Sequence, residues 1–538
     1  MLVSPIIVSV KNACSGTSVA DLIKERKFEE LVNVQGQAVE PLIALLKERD
    51  INVRNDAVDT LGKIGEIAIK PLIDDLRADY NNHRWDCQRA LSTIGTPSVE
   101  PLIKSLEHSD AKFIKYAVIA LGNIGDAAAV EPLISLLAHQ DPRVREWTAK
   151  SLGMLGDAHA VSPLISALAD ADVSVRSSAA LALAELRDVQ SVEKLLLSLE
   201  DGEWEVRRDS AFALGEMKDK RAVEPLIALL NDKDAWVRDE AKRALAKIGE
   251  SSVDPLIKIM KDGKNTEKKY AANALGMIGN KKSVDVLLNA VENNDKAVQK
   301  ASICALGALK AEAAITPIIN KLMGNDLGVR YCTTYALTMI GNPSVKLLIH
   351  AAKEDAKVGA EPIINVLGII GDNSAAEYVI STLESDSISI RRASARALAR
   401  INDDRSVAPL ILKLTDKDEF VRYYAANALR NKKWKAENKA ENLLFLFAYQ
   451  EWGELIKLKR EAFDTLIDAL LDGSKSIRIN SATTLGKMGD TAAIASLASL
   501  LDDDEKKVKA AALEALKKLT KEDFGYEKDL WLNWKEKK

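Results

Sequence analysis

The residues of this 538-residue chain that could do chemistry beyond packing are five histidines, four cysteines and an arginine that keeps returning. None of the histidines (His83, His108, His139, His159, His350) is followed by Glu, and no two stand four apart with a carboxylate between them. That spacing excludes the helical His-Glu arrangement of a zinc hydrolase. His108, His139 and His159 fall between helical segments and are expected to be solvated, so no metal is expected. The cysteines (Cys14, Cys87, Cys304, Cys332) show no Cys-x-x-Cys pair, which fits a reducing cytosol without a zinc or disulfide framework. A phosphate-cradling G-x-x-x-x-G-K-[ST] loop is missing, as is the Gly-x-Ser-x-Gly of a nucleophile elbow. No catalytic residue can be nominated and no cofactor is expected.

The arginine recurs at Arg54, Arg84, Arg145, Arg176, Arg207, Arg238, Arg330, Arg391, Arg422 and Arg478. An Asp often stands four residues before it, as in Asp141/Arg145, Asp172/Arg176 and Asp234/Arg238. These pairs read as a structural ladder in which the Asp caps a helix and pairs with a nearby Arg, not as an anion site. Large rings follow one or two places after the arginine position: Trp85, Tyr116, Trp147, Tyr270, Tyr331 and Tyr423-Tyr424, with Phe212 and Tyr335 one turn further on. Rings there either line a groove, where they offer contact area at small entropic cost, or fill gaps between layers.

The elements that position these residues follow from a repeat. "Pro-Leu-Ile" or a relative occurs at Pro41, Pro71, Pro101, Pro132, Pro163, Pro225, Pro255, Pro317 and Pro409, twelve periods of about 30.7 residues from first to last. Lys194, Val286, Lys346 and Tyr378 hold the phase where Pro is missing. A second phrase, Asp-x-x-Val-Arg-x-x-Ala-x-x-Ala-Leu-Gly-x-Ile-Gly, follows each time, for example at Asp141–Gly156. Its apolar residues recur at i, i+4, i+7/i+8 and i+11, a helical stripe. Each unit therefore predicts two helices, the second capped by Asp and closed by Gly, with Pro starting or kinking the first. One such pair cannot bury its apolar side alone and must stack on the next.

Composition agrees. Apolar residues make up 47% and aromatics 5%, so Ala, Leu, Ile and Val must fill the core. The net charge of −4 and one Arg per layer argue against nucleic acid, which would want a clustered basic stripe. The longest stretch free of charge, Tyr331 to Val345, is broken by Gly341 and Pro343, so no membrane span is expected. The apolar start, MLVSPIIVSV, lacks a positive n-region and a cleavage site, and a cytoplasmic location is expected.

These phrases resemble the HEAT-like repeats of the phycobilisome-lyase type over roughly residues 39–519. The resemblance implies an all-α solenoid with the second helices lining a concave side. About fifteen hairpins, each adding ~8–10 Å, would extend on the order of 130–150 Å along the arc. Family members include scaffolds, chromophore lyases and a metal-dependent hydroxylase. The deoxyhypusine-hydroxylase branch relies on repeated His-Glu pairs that bind iron, and this chain has none to receive that role.

The period breaks after Arg430. Residues 432–461 match the N-terminal lead-in at an offset of 424, placing Phe28 on Trp452, Leu31 on Leu455, Val34 on Leu458 and Ala38 on Ala462. The expected organisation is a long array with its lead-in (1–431), a repeat-breaking helical insert (432–461) that either separates two modules or packs on one continuous core, and a short array (462–538) ending in an aromatic cap of Phe524, Tyr526, Trp531 and Trp534. The functional expectation is a non-catalytic scaffold that binds a partner protein or peptide along the concave face. Trp85, Tyr116, Trp147, Tyr270, Tyr331 and Tyr423 would be its anchors. The alternative, implied by resemblance alone, is an enzyme or enzyme subunit of the phycobilin-lyase or hydroxylase kind.

Overall fold

The computed structural model describes residues 19–77, 83–354 and 360–534, and among them every regular element is helical. The apolar N-terminal decapeptide and Cys14 lie outside the described residues. The first helix of each repeat is short, as in Val130–Leu136, and the second is longer, as in Pro142–Leu155. Numbered along the chain, hairpin 1 is Gly36–Leu45 with Ile51–Ile64, and hairpin 4 is the pair just given. Hairpin 5 is Val161–Ala167 with Val173–Leu186, hairpin 6 is Val192–Ser198 with Trp204–Met217, hairpin 7 is Val223–Ala228 with Ala235–Ile248, and hairpin 13 is Val407–Leu412 with Glu419–Asn431. Hairpins 14 and 15 (Arg460–Asp468 with Lys475–Met488, Ile494–Ser499 with Lys506–Thr520) follow an insert. The chain falls into two compact units, Met1–Val286 and Leu287–Lys538.

Local rules set each hairpin. The Asp141 side chain accepts the backbone N–H of Arg143 at 2.8 Å, and Gly156 closes the same helix in the left-handed region at φ 71°. Pro101, Pro132, Pro163, Pro225 and Pro255 sit in the first turn of their helices, where a missing N–H removes no intrahelical bond. Val144, Thr148, Ser151 and Leu152 turn one buried stripe inward.

Within each unit the second helices pack directly on one another. A Cβ on Gly153 would stand 2.8 Å from the Cα of Ala182 on the next second helix. The spacing of this layer is therefore set by the absence of a side chain. In the second unit Gly307 meets Ala336 in the same way.

The insert holds two helices, Lys439–Ala448 and Trp452–Leu458. Its turns share a backbone with the N-terminal lead-in. Arg26 and Gln450 take φ of 57° and 63°, and Gln35 and Lys459 take 41° and 46°. The Lys27 N–H donates to the carbonyl of Leu22 at 2.8 Å, and the Glu451 N–H to that of Leu446 at 2.9 Å. After hairpin 15, Trp531 is fully buried on the terminal core. Its indole N–H donates to the Gly525 carbonyl at 2.9 Å, and Phe524 packs edge-on against it at 4.8 Å.

Candidate functional site

The second-helix layer carries two kinds of side chain on the frame just described: a ladder of ion pairs at one end and a face of rings along its length. In the ladder, most of the arginines reach forward to a carboxylate of the next hairpin. Arg145 Nε and Nη2 both bond Asp170 at 2.7 Å, while Nη1 donates to the carbonyls of His139 and Gln140. Arg176 repeats this on Asp201, Arg207 on Asp232, Arg391 on Asp416 and Arg478 on Asp503, always 25 residues on. The caps Asp141, Asp172 and Asp234 are thus separate from the carboxylates that receive the guanidinium. Arg238 departs from the pattern, because Gly263 stands 25 residues on; it donates to the Asp232 and Lys233 carbonyls and contacts the Tyr270 hydroxyl at 3.4 Å. Burial pushes the carboxyls of Asp170, Asp201, Asp232 and Asp503 up, but the guanidinium hydrogen bond, a backbone N–H and the nearby positive charges together hold each below the usual carboxylate range.

His108 and His139 occupy the place that Asp170 holds in hairpin 5. They are half-buried, and each Nδ1 accepts a backbone N–H at 3.0 Å, from Asp110 and from Asp141. These two are turn-builders instead of the solvated residues expected; His159 is exposed and pairs with Asp157 at 2.7 Å.

The rings divide. Trp85 and Tyr331 are exposed, and Tyr116, Trp147 and Tyr423 are half-buried. Lys115 Nζ lies 4.3 Å over the Tyr116 ring and Lys150 Nζ 4.4 Å over Trp147. Tyr270 corrects the expectation of an exposed anchor: only 8% of it is accessible, because its ring fills the ladder gap left at Arg238. Tyr423 stacks at 5.4 Å on Tyr449 of the insert, which in turn stacks on Phe445 at 5.9 Å. That side of Tyr423 is occupied by the chain itself.

A run of exposed apolar side chains lies on the second helix of hairpin 10, Leu327–Ile340. Leu327 (75%), Tyr331 (76%), Tyr335 (44%) and Met339 (38%) follow one another every fourth residue and are all exposed. This spacing keeps them on one strip of the helix. Leu327 and Met339 were not singled out from the sequence. The apolar i, i+4, i+8, i+12 series at positions the repeat does not bury was the signal available.

Cys87, Cys304 and Cys332 are free thiols. No helix among the described residues is long and apolar enough to cross a membrane.

Comparison with known proteins fits this architecture. The sequence model of the HEAT repeats matches residues 99–185, 192–267, 253–326, 345–430, 377–445 and 446–517, and that of the PBS lyase HEAT-like repeat matches 175–201. The chain belongs to the HEAT-repeat family. Among solved structures it is similar to Kap95p in a complex with RanGDP (12% identity, 93% of this chain and 86% of that one, TM-score 0.45). It is similar to importin beta (13%, 93% and 82%, 0.43) and to the CpcE–CpcF complex of phycocyanin lyase from Nostoc sp. PCC7120 (24%, 45% and 92%, 0.25). No curated protein matches it.

Proposed function

We propose that this chain is a non-catalytic, cytoplasmic scaffold that holds a partner protein or peptide along its second-helix layer, with that closely packed layer as the concave wall. The observation that carries the reading is the exposed strip Leu327, Tyr331, Tyr335 and Met339. Single exposed apolar residues are ordinary on any surface, but an aligned run of four on a helix already packed on its other side has no role in the fold. Tyrosines there supply contact area with few rotamers to freeze and a hydroxyl that tolerates water when the site is empty. Trp85, Tyr116 and Trp147 give the first unit rings on its own second helices, and the lysines over Tyr116 and Trp147 suit a partner segment that mixes apolar and acidic residues.

We also read residues 1–431 and 462–538 as two arrays joined through the 432–461 hairpin. Support comes from the backbone turns that the insert shares with the lead-in. The test is affinity capture from native cell extract with the wild-type chain and with a Tyr331→Ala, Tyr335→Ala variant. The variant should keep its helical circular dichroism and lose the captured protein. Retention of the same protein at the same yield would sink the reading.

A further inference from the structure

Three donor atoms of unlike chemistry meet in the core of hairpin 2. Asp75 lies on its first helix (Ile69–Arg77), His83 immediately precedes its second helix (Arg84–Ile94), and Cys87 lies within that helix. Asp75 Oδ2 stands 2.7 Å from His83 Nε2 and 3.4 Å from Cys87 Sγ, and all three donors lie within 4.8 Å of one another. His83 and Cys87 are buried and Asp75 is half-buried. The other carboxylate oxygen, Oδ1, accepts from Lys47 Nζ of hairpin 1 at 2.8 Å.

The repeat supplies an internal control. In the same register, hairpin 4 carries Leu136, Val144 and Thr148, hairpin 5 carries Ala167, Val175 and Ala179, and hairpin 7 carries Leu229, Val237 and Ala241. In these three hairpins the positions are filled with apolar or small side chains. Hairpin 2 alone among these replaces all three at once with carboxylate, imidazole and thiol. One polar intruder would be an accident of a tolerant core. Three that converge at hydrogen-bond distances point to a shared ligand, because burying such groups for packing alone is costly.

We propose that Asp75 Oδ2, His83 Nε2 and Cys87 Sγ bind one zinc ion, with Lys47 steadying the outer carboxylate oxygen. The donor set selects the metal: thiolate and imidazole suit zinc, whereas calcium and magnesium take oxygen ligands throughout. At ordinary zinc–ligand lengths, tetrahedral N and O donors stand about 3.3 Å apart, so the Asp75–His83 pair opens by roughly half an ångström on binding. A coordinating thiol gives up its proton to the ion. Zinc with one thiolate and one carboxylate then leaves no net charge in the core. The lysine on Oδ1 is the kind of outer contact that orients a ligating carboxylate. Three protein ligands leave one position for water.

The test uses the full chain, produced without a histidine tag in zinc-supplemented medium, dialysed and assayed by elemental mass spectrometry. The wild type should carry about one zinc per chain. His83→Val with Cys87→Ala restores the residues of hairpins 5 and 7, so this variant should fold with an unchanged helical spectrum and lose the zinc. Cobalt added to the metal-free wild type should give a thiolate-to-cobalt absorption band in the near ultraviolet, and this reading stands even where the variant fails to fold. A wild type without zinc, zinc retained by the folded variant, or cobalt uptake without the thiolate band would each overturn the proposal.

Discussion

Replacing Arg207 by Met removes the most enclosed rung of the ladder. The Arg207 side chain is 6% exposed and that of Asp232 is 8%. Nε and Nη2 of the guanidinium bond the two oxygens of Asp232 at 2.8 and 2.9 Å, and Nη1 donates to the carbonyls of Asp201 and Gly202 at 2.9 and 3.0 Å. The carbonyls lie at a partly open turn, where water can replace the lost donor; the carboxylate does not have that freedom. Removing one partner of a buried pair costs about 3–5 kcal/mol, most of it the penalty of the charge left behind. Arg207→Lys keeps the charge but loses the planar fork, and should cost less than the Met variant. Asp232→Asn in the Arg207→Met background removes the orphaned charge, so the double variant should regain at least about 1 kcal/mol relative to the sum of the singles. Urea unfolding followed by circular dichroism at neutral pH measures each arm of the cycle. Hydrogen exchange should show the loss confined to hairpins 6 and 7, since neighbours in a stack couple chiefly to each other. An Arg207→Met variant within about 1 kcal/mol of wild type, the range of an exposed surface pair, would refute the view that the ladder joins successive hairpins.

Two further outcomes follow from the same layer. Gly153→Ala should lower stability by about 1–3 kcal/mol in the same urea assay, because its Cβ would stand 2.8 Å from the Ala182 Cα and the second helices must part to admit it. The ladder carboxyls Asp170, Asp201, Asp232 and Asp503 titrate below their unfolded value, so their contribution is fully present above about pH 4 and is lost as pH falls through the lower folded values. The urea midpoint should therefore be nearly flat between neutral pH and about pH 5 as far as these groups are concerned, and should drop below about pH 4.

Most of the fold could be read from the chain because each repeat states it again. Asp141 at the start, Gly156 at the end and Val144, Thr148 and Leu152 between them fix one helix, and Asp172, Val175 and Leu183 return in the next hairpin, where Arg187 takes the left-handed closing place. The ladder was legible only by half. Arg145 was evident, but its partner is Asp170, two places before the next cap, and the link exists only once successive hairpins are stacked. Exposure was legible least. Trp85 and Tyr270 fall one place apart in the repeat, a rotation of about 100° on the helix, and one ring is open while the other is buried against Arg238. The grouping of Asp75, His83 and Cys87 escaped a search for adjacent His-Glu pairs because its carboxylate comes from the preceding helix.

The ladder also gives a measure of what the insert does to the frame. Arg422 bonds Asp472 at 2.7 Å, a separation of 50 residues where the regular rungs span 25. Hairpin 14 thus supplies the carboxylate that a next regular hairpin would have supplied, with one further rung's length of chain set aside between them. The detour is not idle: Tyr449 on it stacks against Tyr423 and accepts a hydrogen bond from Arg430, both on hairpin 13. The chain therefore keeps its rung while adding a hairpin whose rings cover a place that regular repeats leave open. Tyr331 and Tyr335 have no such ring stacked on them among the described residues, and they are 76% and 44% exposed. A fold that spends a whole hairpin to shelter one tyrosine and leaves two others bare on an equivalent helix is the physical reason for placing the partner there.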